Sequence, residues 1–407
     1  MAKGDYIVMN KHGWLFKASL LSIATLTNAA AAVQVTVPMI MKDLPTQSQS
    51  SIELLMSVTS FGIMLFVLLS NFVTRIIGNK KTVVLGVLIA VISGIVPMFS
   101  ENYTVLLVSR FMFGAGVGLF NSLAISLISI YYEGKERDTL IGFENATAAA
   151  ATTVLTWLVG YLMSFGWHMT FGVYALGFIP LIMFGLFVSD KTPTVSGDSK
   201  QGEVVGKAHI NRTMVGYGAF MFVLFVTYFG MTVKIAPLFE QLGYGTGAQA
   251  SLISGISAAT GFVAGLIFGK IKQWFGRYTV GLGTLAGGVM VLLLSMSQNL
   301  IWSGVLISLY GLAFGMAVPG VYSAVAARTD EASQTLGSTV LLVAVNMGVF
   351  LSPYVFQLVS TLSGRSTAAF SMTVDAVIVL ALAVITLVVT GVKRPARVDE
   401  QVNVPVK

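Results

Sequence analysis

Two positively charged side chains, Arg110 and Lys234, stand inside long apolar stretches of the sequence. Carrying a cation into a bilayer costs about 2.5–3.5 kcal/mol on insertion scales, so such residues usually pair with a partner or face a water-filled cavity. Two cations there would favour an anionic group on a bound molecule, or a partner carboxylate. A long cationic side chain can also extend to the membrane interface. The pair therefore predicts a binding or coupling site, with an interfacial or structural role as the alternative.

Several acidic side chains and one histidine could carry a proton, because a carboxylate in apolar surroundings holds a proton more tightly than one in water. Asp43, Glu53 and Glu240 fall at the ends of apolar stretches, where we expect them to be solvated. Asp375 is expected about one turn inside the last stretch. His168, in FGWH, is expected at an interface rather than in a proton relay.

The composition excludes most other classes of protein. Of 407 residues, 55% are hydrophobic and 10% are charged, against about 25% charged in a globular domain. Mean hydropathy is +0.83. No cysteine is present, and His12, His168 and His209 are too few for a histidine metal site. Neither a GxxxxGK[ST] loop nor paired catalytic groups at membrane depth occur. We therefore predict a polytopic membrane protein that is not an enzyme and uses no metal or cofactor.

Twelve stretches are long and apolar enough to cross a bilayer core, which requires about 20 mostly apolar residues. They are Phe16–Met41, Ile52–Ile77, Val83–Phe99, Val105–Tyr131, Leu140–Met163, Trp167–Val188, Thr213–Leu242, Ala248–Lys272, Val280–Met296, Ile301–Ala327, Leu336–Thr361 and Thr367–Val392. The predicted fold class is an all-α membrane protein with 12 transmembrane helices, numbered here in chain order.

A polar stretch divides this series into six plus six. Residues 189–212, SDKTPTVSGDSKQGEVVGKAHINR, are rich in Gly, Ser, Lys and Asp and have almost nothing to bury. Such a composition is typical of a flexible linker. The predicted domains are an N-terminal six-helix bundle at 1–188, a cytoplasmic linker at 189–212, a C-terminal six-helix bundle at 213–392 and a cytoplasmic tail at 393–407.

The basic residues predict the orientation in the membrane. With both termini in the cytoplasm, 20 of the 24 Lys and Arg residues fall on that side, and only Lys42 and Arg365 fall outside. Cytoplasmic loops carry this excess in membrane proteins. The net charge of +7 is thereby explained without a nucleic-acid partner. We predict a multi-pass protein of the cell membrane with both termini cytoplasmic.

The two halves of the sequence match at a nearly constant offset of 196–199 residues. The matched positions are Pro38 with Pro237, Gly78 with Gly276, Gly114 with Gly311, Gly118 with Gly315, and Thr139-Leu140 with Thr335-Leu336. Matches in one register indicate an internal repeat. Two parallel halves related by an axis along the membrane normal are an architecture of one large transporter group.

Short motifs connect this architecture to a family. The fourth helix contains Arg-x-x-x-Gly-x-Gly at Arg110, Gly114 and Gly116. The loop after helix 2 reads NFVTRIIGNKK, and the loop after helix 8 reads GKIKQWFGRY. On these motifs and over all 12 helices, the chain resembles the major facilitator superfamily. Its signature between helices 2 and 3, G-x-L-a-D-R-x-G-R-K, is present in weakened form, with Arg75 at the acidic position and Gln273 at the equivalent place in the second loop.

The resemblance implies which residues act in transport. In that family helices 1, 4, 7 and 10 line a central cavity, and helix 5 borders it, which makes Glu144 the leading candidate proton carrier. Glu144 begins the predicted helix 5, where an acid also complements the helix dipole. Neutral polar side chains could bind substrate or a neighbouring helix. The predicted substrate-binding or coupling residues are Arg110, Lys234, Glu144, Asn28, Gln34 and Asn346.

A second set is predicted to act in gating. The glycines and cations of the two loops are included because they match the family signature. The glycines of helix 4 belong to the second motif. The prolines are included because they free backbone carbonyls and so permit the helix to bend. The set comprises Gly78, Lys80, Lys81, Gly114, Gly116, Gly276, Arg277, Pro38 and Pro237.

The expected function is secondary active transport of a small organic solute by alternating access. Proton-coupled export of drugs or metabolites, as an antiporter, is favoured by Arg110 in its motif. Uptake or exchange of a small organic anion is the alternative, favoured by Lys234 and by the lack of an acid in helix 1. The expected partners are the small-molecule substrate, protons and the lipid bilayer, and a monomer is expected from the resemblance.

Overall fold

The computed structural model describes residues 13–27, 29–132, 134–188, 209–330 and 333–392. The described ranges are helical, with short turns between the helices and no strand among them. Asn28, the tail at 393–407 and residues 189–208 of the predicted linker lie outside the described residues. The two bundle boundaries at the linker therefore stay a prediction.

Within the described residues, twelve helical spans have the length and composition to cross a membrane, as predicted. Spans 1 to 12 cover Trp14–Asp43, Gln49–Ile77, Asn79–Phe99, Tyr103–Tyr131, Gly134–Phe165, Trp167–Phe187, Arg212–Leu242, Gly247–Leu266, Phe268–Ser295, Leu300–Ala326, Leu336–Ser363 and Ala368–Gly391. The all-α, 12-helix fold class is confirmed.

Several spans begin earlier than their apolar stretches because polar residues cap and extend them. Asn102 caps span 4 by accepting hydrogen bonds from the amides of Thr104 and Val105 at 2.9 and 3.2 Å. Thr246 and Gln249 form a reciprocal capping box at the start of span 8. Such caps satisfy amides that have no partner within the helix. Apolar periodicity therefore locates the membrane-spanning part of a helix but not its polar ends.

Span 5 illustrates the consequence for a candidate site. Its helix begins at Gly134, whereas the apolar stretch begins at Leu140. Glu144, expected at the end of the helix, is instead ten residues inside it, or about 15 Å at 1.5 Å per residue. Its side chain is buried. The predicted terminal position of Glu144 was wrong.

Span 1 is irregular where it approaches the centre of the molecule. An α-helix at Trp14–Ser22 and a short turn give way to a 3₁₀ segment at Ala29–Thr36, and α-helix resumes at Val37–Asp43. Pro38 lies in the first turn of this last piece. Because proline has no amide hydrogen and a fixed φ, it is tolerated there and not inside a continuous helix.

The packing of the spans repeats between the two halves. In the first half, spans 2 and 3 both pack on span 4. In the second half, the equivalent spans 8 and 9 both pack on span 10. The halves meet where span 2 packs on span 11 and span 5 on span 8. This arrangement of two related six-helix bundles confirms the repeat that the sequence predicted.

The matched glycines allow the close helix contacts of this repeat. A Cβ atom at Gly114 would lie 2.0 Å from the carbonyl oxygen of Thr59, and one at Gly311 would lie 2.2 Å from that of Ser257. One turn further along, a Cβ at Gly118 or Gly315 would lie 2.6 or 2.5 Å from a backbone oxygen of the facing span. Small residues at such positions let the backbones of membrane helices approach closely.

The two sides of the molecule differ in charge. Among the described residues, exposed basic side chains gather where spans 2, 4, 8 and 10 end, and we call this the basic side. They include Arg75, Lys81, Lys135, Arg137, Lys270, Lys272, Arg277 and Arg328. The other end of the molecule is called the opposite side.

Candidate functional site

A cavity of about 330 Å³ lies between the two halves. Spans 1, 5, 7, 8 and 10 supply its wall, and all of the residues that line it are described and uncharged. Polar groups come from Gln34, Thr152 and Thr156 of the first half and from hydroxyl residues such as Ser257 of the second. The wall can therefore donate and accept hydrogen bonds but offers no fixed charge to a bound molecule.

Aromatic rings from spans 7 and 10 form one side of this cavity. The rings of Tyr228 and Phe314 stack at 4.4 Å between centroids and 23° between planes. Tyr310 lies 6.0 Å from Phe314, again nearly parallel, and Phe225 meets Phe314 edge-on at 5.4 Å. Stacked rings with hydroxyl groups give a rigid, amphipathic surface.

Of the predicted substrate residues, Gln34 lines this cavity, and the irregular segment of span 1 carries it there. Arg110, Lys234, Glu144 and Asn346 do not line it. The amide of Asn346 donates to the carbonyl of Leu342 on its own helix at 2.9 Å.

Arg110 is buried on span 4 among aromatic rings. Its Nη1 donates to the hydroxyl of Tyr174 on span 6 at 3.1 Å, and its guanidinium lies 5.0–5.5 Å from the ring centroids of Phe113, Phe171 and Tyr174. The Nε and Nη2 atoms have no hydrogen-bond partner, and no carboxylate among the described residues pairs with the group. Cation–π contacts partly offset the cost of removing this cation from water.

Lys234 forms an ion pair with Glu53 that joins span 7 to span 2, and so the second half to the first. Both side chains are buried, and the amide of Gln49 also donates to Glu53 at 2.8 Å. The expectation that Glu53 would be solvated was wrong, because its position near the helix end faces the other half rather than water. Of the roles considered for Lys234, the structure favours pairing with a carboxylate over an interfacial position.

Asp375 lies near this pair, on span 12. It is 1% exposed, and neither carboxylate oxygen has a hydrogen-bond partner. A Cβ atom placed at Gly230 of span 7, one turn before Lys234, would lie 3.1 Å from Oδ2 of Asp375. A smaller cavity of about 200 Å³ adjoins the ion pair and is lined by Glu53, Lys234 and a series of hydroxyl residues that includes Ser371.

Contacts between the halves are found toward the opposite side. Trp157 Nε1 donates to the carbonyl of Leu252 at 3.1 Å, joining spans 5 and 8, and Lys42 pairs with Glu240 at 3.3 Å, joining spans 1 and 7. On the basic side, Lys17 pairs with Glu136 at 2.7 Å within the first half.

The predicted gating glycines have distinct geometries. Gly78, between spans 2 and 3, has φ of 85°, and Gly276, which interrupts the helix within span 9, has φ of 54°. Residues with a side chain rarely adopt these values, so both breaks require glycine. The absence of a side chain at Gly114 instead lets span 4 pack closely on span 2, and its absence at Gly116 lets span 4 pack closely on span 3.

The remaining predicted gating residues surround these breaks or lie on span 7. Lys80 is half-buried and Lys81 exposed, while Arg277 donates to the hydroxyl of Tyr278 at 2.8 Å. Pro237 is buried inside span 7, three residues after Lys234. The gating roles of all these residues stay predictions.

The sequence did not identify the aromatic residues around Arg110 or those in the wall of the central cavity. Phe113 follows Arg110 by three residues, a spacing that brings side chains together on one helix face and could have been used. The same spacing joins Phe171 to Tyr174 in the sequence. No comparable signal distinguishes Tyr228 and Phe314 from the other aromatic residues of the chain.

Comparisons with known proteins agree with this architecture. The family model described as Major Facilitator Superfamily matches residues 19–353. The chain is 24% identical over 310 residues to Multidrug resistance protein MdtL of Escherichia coli (strain K12) and to that of Shigella dysenteriae serotype 1 (strain Sd197), covering 74% of this chain and 78% of each relative.

Solved structures share the fold at low sequence identity. A POT family transporter in complex with a thioalcohol-conjugated peptide superposes with a TM-score of 0.74 at 12% identity, covering 92% of this chain and 96% of that one. A mutant of the nucleoside transporter NupG gives 0.73 at 14%, covering 91% and 99%. With the family model matching most of the sequence and 12 spans in two related bundles, the chain belongs to the Major Facilitator Superfamily of secondary transporters.

Proposed function

We propose that this transporter exports amphipathic drugs or metabolites in exchange for protons, through the cavity between its two halves. The observation that carries the proposal is the wall of that cavity, which combines stacked aromatic rings with neutral hydrogen-bonding groups. Ligand sites of this kind bind mainly by apolar contact and are oriented by a few polar groups. A molecule with a flat apolar body and a polar end fits this wall better than a compact, fully ionised one.

The orientation identifies the side from which this conformation can bind a substrate. We assign the basic side to the cytoplasm, because cytoplasmic loops are enriched in Lys and Arg. Contacts between the halves, such as those of Trp157 with Leu252 and Lys42 with Glu240, lie toward the opposite side. We therefore interpret the conformation as one that receives its substrate from the cytoplasm. In this assignment both termini are cytoplasmic.

The similarity to MdtL supports the same substrate class. Those relatives are named multidrug resistance proteins, and the matched region covers most of their length. No nucleotide-binding loop occurs in the sequence, so a gradient rather than ATP bound to this chain would drive transport. Buried Asp375 and Glu144 are the acids on which we propose that proton coupling depends.

Transport of a small organic anion is the second candidate. One observation favours it, namely the two unpartnered nitrogen atoms of the buried Arg110 guanidinium. Against it, Arg110 does not line the central cavity, and Lys234 already has a carboxylate partner. Arg110 bonds to Tyr174 and Lys234 to Glu53, so no contact among the described residues joins the two cations into a single anion site.

Inverted vesicles with an acid interior and an internal pH dye test both candidates. Lipophilic cations, neutral amphipaths and small organic anions are added in turn, and proton release is recorded. We expect release with the amphipaths and a much smaller response for Tyr310→Ala, whose ring faces the cavity. Tyr161→Ala, which removes a ring that is 65% exposed, is the matched control. Release with anions alone would establish the second candidate, and release with none of them would overturn proton-coupled export.

A further inference from the structure

A short helix on the basic side lies between two helices that are themselves long enough to cross the membrane. Gly247–Leu266 of span 8 has 20 residues and a length of about 30 Å, and Thr279–Ser295 of span 9 has 17 residues and a length of about 26 Å. The hydrocarbon core of a bilayer is about 30 Å thick. Phe268–Phe275, the first part of span 9, is a separate helix of eight residues that ends at the break of Gly276. Since it is not needed for crossing, we place it at the membrane surface and call it the surface helix.

The apolar residues of the surface helix are only partly covered by protein. Phe268, Ile271 and Phe275 have the i, i+3, i+7 spacing of one helix face. Ile271 is buried, whereas Phe275 is 42% exposed and Trp274, beside this face, is 73% exposed. Aromatic rings at the end of a membrane span are typically found at the level of the lipid headgroups. The uncovered part of this face is therefore a contact surface for lipid.

The same helix carries positive charge that no carboxylate close in sequence balances. Lys270 and Lys272 are both exposed. The sequence has no Asp or Glu between positions 241 and 329, and neither lysine forms an ion pair within the described residues. Lys272 donates to the hydroxyl of Ser323 on span 10 at 2.6 Å, which uses one of the three N–H donors of its ammonium group. The two lysines therefore offer charge and hydrogen-bond donors to an anion.

The combination of positive charge and exposed rings on one helix selects the class of ligand. A soluble anion such as phosphate would satisfy the lysines but leave the rings uncovered. A zwitterionic phospholipid would cover the rings, but its own ammonium group offsets the charge of its phosphate. An anionic phospholipid matches both features, and each Lys or Arg near the membrane surface strengthens its binding by about fivefold.

We propose that the surface helix binds an anionic phospholipid of the leaflet on the basic side. Lys270 and Lys272 contact its phosphate, and Trp274 and Phe275 contact its glycerol backbone and acyl chains. Because Lys272 also bonds to span 10, on which the surface helix packs, the lipid holds this helix against the second half. None of these four residues lines the central cavity, so lipid binding here is independent of the proposed drug export.

Quenching of tryptophan fluorescence by lipids with brominated acyl chains measures this binding. Purified full-length protein in neutral detergent is titrated with brominated phosphatidylglycerol, which is anionic, or with brominated phosphatidylcholine, which is zwitterionic. The difference between the parent and Trp274→Phe gives the signal of Trp274. Since two cations at about fivefold each give about 25-fold, we expect phosphatidylglycerol to quench this signal at a mole fraction at least about 20-fold lower than phosphatidylcholine.

Two variants test whether the lysines cause this preference. Replacing both, Lys270→Gln with Lys272→Gln, should lower the preference for phosphatidylglycerol by about 25-fold, and Lys270→Gln alone should lower it by about fivefold. Arg365→Gln is the matched control on the opposite side and should keep the full preference. Arg365 is also exposed and lies beside an aromatic ring, 5.7 Å from the centroid of Phe370.

Trp302 provides a second control within the same chain. It is 52% exposed at the start of span 10 on the opposite side, in a stretch, 278–327, that contains no charged residue. Its signal, obtained from Trp302→Phe, should be quenched by both lipids at similar mole fractions.

Three outcomes would overturn the proposal. The first is equal quenching of Trp274 by the two lipids, and the second is a double lysine variant that keeps the preference of the parent. The third is displacement of phosphatidylglycerol by an equal concentration of inorganic phosphate at constant ionic strength, which would make this a site for the free anion. If the double variant does not yield monodisperse protein, Lys270→Gln alone decides the question, because this exposed side chain has no hydrogen bond to lose within the described residues. The assay contains neither a drug nor a proton gradient, so a failure of drug export is observed separately.

Discussion

The guanidinium of Arg110 donates a hydrogen bond to the hydroxyl of Tyr174, which in turn donates to the carbonyl of Ala29 at 3.3 Å. This chain of two bonds connects spans 4, 6 and 1. Ala29 begins the 3₁₀ segment of span 1 that also carries Gln34 to the central cavity. Arg110 is therefore linked to the cavity through the backbone of span 1, although it does not line the cavity itself.

Removing the middle hydroxyl of this chain is expected to destabilise the protein. Tyr174→Phe keeps the ring against Arg110 but leaves Nη1 without its acceptor, and a buried donor left unpaired costs about 1–3 kcal/mol, more when it is charged. We expect a lower midpoint of thermal unfolding in detergent and slower transport. Tyr161→Phe, at an exposed ring, is the control and should leave both unchanged. Equal unfolding midpoints for the two variants would contradict a structural role for the hydrogen bond.

The aromatic wall of the cavity is expected to set the affinity for amphipathic substrates. Phe314 stacks on Tyr228 and lies beside Tyr310, so Phe314→Ala opens this wall. Aromatic pairs contribute about 0.5–1.5 kcal/mol beyond simple burial, which corresponds to a KM increase of about 2- to 10-fold. The measurement is the concentration dependence of proton release in vesicles with a lipophilic cation. Phe165→Ala, at a 60% exposed ring on span 5, should leave KM as it is.

The sequence predicts the framework of this molecule better than the partners within its sites. Apolar stretches and matched glycines are local or periodic signals, and the repeat of Gly114 with Gly311 corresponds to equivalent helix contacts in the two halves. Arg110 and Lys234 were found because a cation in an apolar segment is conspicuous. Their partners come from distant positions, since Tyr174 is 64 residues from Arg110 and Glu53 is 181 residues from Lys234.

The position of Glu53 shows why solvation is difficult to predict from one chain position. Four residues into a helix, an acid usually reaches water, and here the other half of the molecule covers it. The packing of span 2 against span 11 and the approach of span 7 decide its burial, and neither contact has a signature in the local sequence.

The proposed orientation can be measured with single cysteines, because the natural chain has none. Glu101→Cys places a thiol in the exposed turn between spans 3 and 4 on the opposite side, and Lys81→Cys places one on the basic side. With the basic side in the cytoplasm, a membrane-impermeant maleimide should label Glu101→Cys in intact cells and Lys81→Cys only after permeabilisation. The reverse pattern would invert the assignment of the two sides.

The close contact of span 4 with span 2 should make Gly114 far less tolerant of a methyl group than a glycine on an open helix face. Gly114→Ala would bring Cβ to 2.0 Å from the carbonyl oxygen of Thr59, whose hydroxyl also donates to the carbonyl of Arg110 at 3.2 Å. The spans must then separate, and overpacking of this kind costs about 1–3 kcal/mol.

Gly142→Ala on span 5 is the matched control, because no atom lies within 4 Å of its added Cβ. Alanine is favoured over glycine inside a helix by about 1 kcal/mol, so this variant should be as stable as the parent or more stable. Yield of monodisperse protein and the midpoint of thermal unfolding measure both effects. The internal repeat extends the expectation to Gly311→Ala, whose Cβ would meet Ser257 in the equivalent contact of the second half. If Gly114→Ala and Gly311→Ala unfold at the same temperature as Gly142→Ala, glycine is not required at positions 114 and 311 for close backbone packing.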